Sequence, residues 1–119
     1  MAVVNKVEQR AKLEKKDIIK FQLVTHCFFK DVAVTENELE CLVLLAQVGE
    51  TELNSFCQRV WDMKLYASAQ TVRNVMNRFE KKELVVKQGG KKKRVYINPA
   101  MNLQTAGNIL LDLKFAYLS

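Results

Sequence analysis

Between Ser68 and Pro99 the chain changes its hydrophobic period once, and no other feature constrains the fold as tightly. Val72, Val75, Met76 and Phe79 recur at helical spacing, and Ser68 stands where a helix N-cap belongs. The pattern then turns β-type. Leu84-Val85-Val86-Lys87 is short and apolar, Gln88-Gly89-Gly90-Lys91 is a turn, and Val95-Tyr96-Ile97-Asn98 is a second run ended by Pro99. Glycine accepts the positive φ that tight turns require. The segment therefore predicts a helix over 68–82 joined directly to a β-hairpin.

Two similar stripes lie upstream. Thr35-Glu36-Asn37-Glu38 matches a capping box, and Leu39, Leu42, Val43 and Ala46 follow at i, i+3, i+4, i+7. Gly49 is placed as a left-handed terminator. Residues 52–63 repeat the stripe with Leu53, Phe56, Cys57 and Val60, and Trp61 is expected to pack on the first helix or the N-terminal segment. None of these helices is stable alone, so each must cover the apolar face of another.

The ends are read as extensions. Residues 6–16 suit an exposed charged helix. Residues 17–30 fit a helical face (Ile18, Phe21, Thr25, Phe28) and strand alternation (Phe21, Leu23, Cys27, Phe29) almost equally. Asp17 as a cap favours helix. Residues 102–118 return to helical spacing with Leu103, Ala106, Leu110, Leu113 and Tyr117, widened by Ile109, Leu111 and Leu118. The expected fold is mainly α with a small β-hairpin. Its divisions are a helical extension over 1–34, a core domain over 35–99, and a C-terminal helix over 100–119 for dimerisation or partner contact.

Apolar residues make up 49% of the chain and charged residues 27%, which suits a single globular domain. No apolar run reaches the ~18 residues of a membrane span. The start of the chain lacks a signal pattern, so a cytoplasmic, intracellular protein is expected. Cys27, Cys41 and Cys57 are widely spaced, no CxxC is present, and His26 is the single histidine. These read as buried thiols and a half-buried imidazole, with no metal site and no cofactor. Neither a nucleophile elbow nor a phosphate-binding glycine loop is present, and no enzyme is expected.

The net charge is +6, and its distribution is uneven. Residues 87–94 hold five basic side chains and no acid; subtracting those five leaves +1 for the rest. Consecutive like charges repel, so Lys91, Lys92, Lys93 and Arg94 at a hairpin tip call for an anionic partner.

The order of three helices and a basic hairpin resembles the winged helix-turn-helix domain over about residues 35–99. Thr51-Glu52-Leu53-Asn54-Ser55-Phe56 looks like the start of the motif's first helix, and Lys64-Leu65-Tyr66-Ala67-Ser68 like its turn. Residues 69–79 look like the recognition helix, and Glu80-Lys81-Lys82-Glu83-Leu84-Val85 like the exit into the wing. The helix order is most similar to that of MarR-type regulators. Glu83 departs from the pattern, because many relatives carry glycine there.

On a helical wheel Gln70, Arg73, Asn74, Asn77 and Lys81 lie opposite Val72. Amides can pair with adenine N6/N7 and arginine with guanine O6/N7. The expectation is a double-stranded DNA-binding transcriptional regulator whose terminal helices form a homodimer or contact a partner protein. Gln70, Arg73, Asn74 and Asn77 would contact bases. Ser68, Thr71, Arg78 and Lys81 would contact phosphates. Lys87, Lys91, Lys92, Lys93 and Arg94 would form the wing on the backbone or minor groove. The alternative is a structural, assembly or replication-complex subunit, including a viral particle component, that docks a partner protein on a winged-helix scaffold.

Overall fold

The computed structural model describes residues 14–104. In chain order it contains α1 (Lys15–Phe29), α2 (Glu36–Val48), β1 (Thr51–Glu52), α3 (Leu53–Asp62), α4 (Ala69–Lys81), β2 (Val85–Gln88) and β3 (Arg94–Ile97). A 3-10 turn over Pro99–Met101 follows. The strands form an antiparallel sheet in the order β1-β3-β2, with Thr51 opposite Val95 and Val85 opposite Ile97. α4 packs on α3 and β2, and α1 lies along α2. This is a winged helix-turn-helix, with α3 and α4 as the paired helices and β2–β3 as the wing.

Each central element forms for a local reason. The box at α2 closes as expected. Thr35 Oγ1 accepts from Glu38 N at 3.2 Å, and Glu38 Oε1 accepts from Thr35 N at 2.8 Å. Ser68 Oγ caps α4 by accepting from Thr71 N at 3.1 Å. The predicted stripes then meet in one core, where Leu42, Phe56, Val60, Val75 and Phe79 are each no more than 1% exposed. Truncating a phenylalanine so enclosed costs ~3–5 kcal/mol.

α1 is helical, but its inner face differs from the expected one. Ile19, Leu23 and Cys27 are buried and join the common core, whereas Phe21 is 46% and Phe28 79% exposed. Asp17 is not the N-cap. The helix begins earlier, and Asp17 Oδ2 accepts from Glu14 N at 3.2 Å from the first turn. Trp61 is 42% exposed, because the inner face of α3 is already filled by Phe56, Cys57 and Val60.

Other expectations shift by a residue or a conformation. Thr51 and Glu52 are a third strand rather than the start of a helix. Gly49 has the expected positive φ of +81°, but its ψ of −156° is extended rather than left-handed helical. The wing loop spans 89–93, longer than a tight turn. Gly89 (φ +102°) needs glycine, because a Cβ there would meet Lys92 O at 3.1 Å. Residues 102–104 are not helical, and Asn102 is left-handed with φ +50°. The rest of the helix expected over 102–118, and most of that over 6–16, lie outside the described residues. No helix among the described residues is long and apolar enough to cross a membrane.

Candidate nucleic-acid interface

α4 presents two chemically opposite faces. Val72, Val75, Met76 and Phe79 are fully buried, while Gln70, Arg73, Asn74, Asn77 and Lys81 are exposed. The expected polar row therefore exists as one surface. Its single acid is Glu80, at the flank, 3.9 Å from the Lys87 ammonium.

Most of the row is held in place by hydrogen bonds. Gln70 Nε2 donates to Asn74 Oδ1 at 3.2 Å, one turn along. Arg73 Nη2 donates to Asn54 Oδ1 at 3.1 Å, which ties α4 to the first turn of α3. Asn77 Oδ1 accepts from Lys87 Nζ on the wing strand. Fixing long side chains beforehand lowers the ordering cost of binding a ligand.

The residues expected on phosphates fall into two groups. Ser68 and Thr71 are engaged with each other, their hydroxyl oxygens 3.0 Å apart, beside the helix cap. Arg78 points to α2, with Nη2 3.6 Å from Glu38 Oε2. Lys81 is exposed and forms no ion pair among the described residues.

The wing divides likewise. Lys91, Lys92 and Lys93 are exposed in the loop, with no ion pair among the described residues. Arg94 is drawn back to Glu50, its Nε 3.6 Å from Oε1 and its Nη2 3.4 Å from the backbone carbonyl. Lys87 does not belong to the free tip, because only 7% of its side chain is exposed. Lys87 and Val85 alternate with Val86, so both face α4.

Sequence reasoning passed over Asn54 and the inward role of Lys87. Asn54 stands 19 positions before Arg73, and no local pattern links them. The period-2 rule applied from buried Val85 would have turned Lys87 inward.

The three thiols are buried and free. Burial chiefly, then Cys57 and Glu38 nearby, pushes Cys41 up to about 12, so it is a poor nucleophile and a poor metal ligand at neutral pH. Among the described residues, no group of three or more His, Cys, Asp or Glu is placed to hold a metal ion.

No family model and no curated protein matches the sequence. Among solved structures the chain is similar to the ferric uptake regulator Fur of Helicobacter pylori, with a TM-score of 0.51 and 14% identity. The match covers 75% of this chain and 61% of that one, so the chain spans about three-fifths of its neighbour's length. The likeness supports the winged-helix fold. The Fur structure is described as having three functional metal-binding sites, which is a property of that protein.

Proposed function

We propose that the chain is an intracellular double-stranded DNA-binding transcriptional regulator whose α4 enters the major groove. One observation carries this reading. The outward row of α4 is amide and cation, and the wing strand beside it leads into Lys91, Lys92 and Lys93. Gln70, Arg73, Asn74 and Asn77 then meet base edges. Lys81 and the three wing lysines meet backbone phosphates, with the cap at Ser68 and Thr71 toward the same backbone. Arg78 and Arg94 are more than half exposed beside Glu38 and Glu50, and their remaining guanidinium donors stay open to phosphate. Sharing a fold with a protein named as a regulator supports the same reading.

The regulator acts as a homodimer in this proposal. Phe21, Val24 and Phe28 form an exposed apolar row along α1, at i, i+3 and i+7. A second copy of the same row covers it through a two-fold contact, which matches a pseudo-palindromic site.

Selection from random duplex DNA tests the reading, with salt titration of the selected site. The triple variant Lys91→Ala, Lys92→Ala, Lys93→Ala should flatten the slope of log affinity against log salt by roughly 3 units. An unchanged slope removes the wing from the interface. A competing reading, a subunit that docks a partner protein, is favoured by exposed Phe28, Phe29, Trp61 and Met63. It predicts weak binding with no sequence enrichment.

A further inference from the structure

The wing polarises one amide of the recognition helix. The Lys87 side chain lies in the seam between β2 and α4, and its Nζ donates to Asn77 Oδ1. An ammonium has three donors and no acceptor, so the Asn77 atom that faces it is the oxygen. The reversed amide would set N–H against N–H. Glu80 Oε1, at 3.9 Å, is beyond hydrogen-bond reach, so Asn77 supplies the neutral acceptor that the enclosed ammonium needs.

That contact fixes which end of the amide meets a ligand. Only 7% of the Lys87 side chain is exposed, so the oxygen is turned toward the protein. Asn77 itself is exposed, so Nδ2 with its two N–H donors is the outward atom. A free asparagine reads adenine by offering donor and acceptor together to N7 and N6. Asn77 turns its donors outward, while its oxygen, with one lone pair held by Lys87, lies on the protein side. Guanine presents two acceptors, N7 and O6, to the major groove, thymine presents one, and the N6 amino group of adenine would meet another donor.

We infer that Asn77, oriented by Lys87, selects guanine over adenine, which makes Lys87 a positioning residue for base specificity. This rests on the proposal that α4 lies in the major groove. It departs from the adenine pairing expected of a free amide.

Selection from random duplexes with four proteins tests it: wild type, Asn77→Ala, Lys87→Met and Asn77→Asp. Asn77→Ala identifies the position read by residue 77, where the wild type should prefer guanine over adenine by roughly 5- to 150-fold. Lys87→Met keeps an apolar stem and frees the amide, so the preference should move toward adenine at that position alone. Asn77→Asp alters an exposed side chain and does not depend on Lys87→Met folding. Its carboxylate should turn the preference toward cytosine, whose N4 is a donor. Adenine enrichment by the wild type at that position overturns the inference, as does an unchanged profile in a folded Lys87→Met. If the wild type enriches sequence but Asn77→Ala changes no position, the inference fails and the DNA reading stands. If no protein enriches any sequence, both fail.

Discussion

Asn98 Nδ2 donates to the backbone carbonyl of Glu83 at 2.8 Å, tying the end of the wing to the residue that carries the chain out of α4. Glu83 is left-handed, with φ +60°. Glu83 N donates to Glu80 O at 3.0 Å and Leu84 N to Phe79 O at 2.9 Å, the paired closure that usually has glycine at this position. Asn98 N donates to Leu84 O at 3.0 Å, so the wing returns to the same corner. Glutamate in place of glycine therefore leaves the exit geometry intact at a local cost. Glu83→Gly should raise stability in urea by up to about 1 kcal/mol, because the Cβ penalty of the left-handed region disappears. Asn98→Ala should lower it by about 1 kcal/mol. A destabilised Glu83→Gly would show that the side chain compensates elsewhere.

Tyr66, in the turn before α4, buries its hydroxyl oxygen without a hydrogen-bond partner among the described residues. An unpaired buried polar group costs about 1–3 kcal/mol. Tyr66→Phe keeps the ring and removes the hydroxyl. Its denaturation midpoint should rise, by about 1 kcal/mol in stability, with the denaturant slope unchanged. A fall of the same size would mean that the hydroxyl is paired.

The core also sets an alkaline limit. Cys41 has no solvent exposure, and its thiol ionises near 12 in the fold against 9.0 when free. The folded state favours the neutral thiol, so its contribution is complete below pH 9 and is lost as pH rises toward 12. Full loss is on the order of 4 kcal/mol. Tyr66, pushed up to about 12 mainly by burial, adds a loss that begins above pH 10. Denaturation between pH 8 and 11 should show stability falling above 9, and Cys41→Ala should flatten that fall. Equal slopes in both proteins would place the ionising group elsewhere.

How much of this was readable follows from how local each signal is. The three central helices each carry one apolar stripe, and α2 and α4 also carry a cap, so periodicity alone places them. β1 is two residues long and exists only because Thr51 pairs with Val95, far along the chain. α1 carries two apolar rows, one through Ile19, Leu23 and Cys27 and one through Phe21, Val24 and Phe28. Spacing cannot say which row faces α2. At the interface, the outward row of α4 follows from the helical wheel, whereas the fate of each cation depends on neighbours from other elements. Counting charge groups Lys87 with Lys91, but strand register separates them.

The outer row of α1 gives the last expectation. Phe28 and Phe29 are each more than three-quarters exposed, and their rings meet edge to face with centroids 5.7 Å apart. Neither belongs to the core, so Phe28→Ser should leave the unfolding free energy of the isolated chain within about 0.5 kcal/mol. In the proposed homodimer the same change removes a large aromatic surface from both sides of a two-fold contact. Light scattering across a dilution series should therefore show the variant dissociating at higher concentration than the wild type, by a factor of 10 or more if the cost exceeds about 1.4 kcal/mol. Phe21→Ser, on the same row, should act in the same direction, while Trp61→Ser, which lies on α3, should not. An identical mass at every concentration for the wild type and both α1 variants would remove the homodimer from the proposal, because nothing would then depend on the row that it was built to cover.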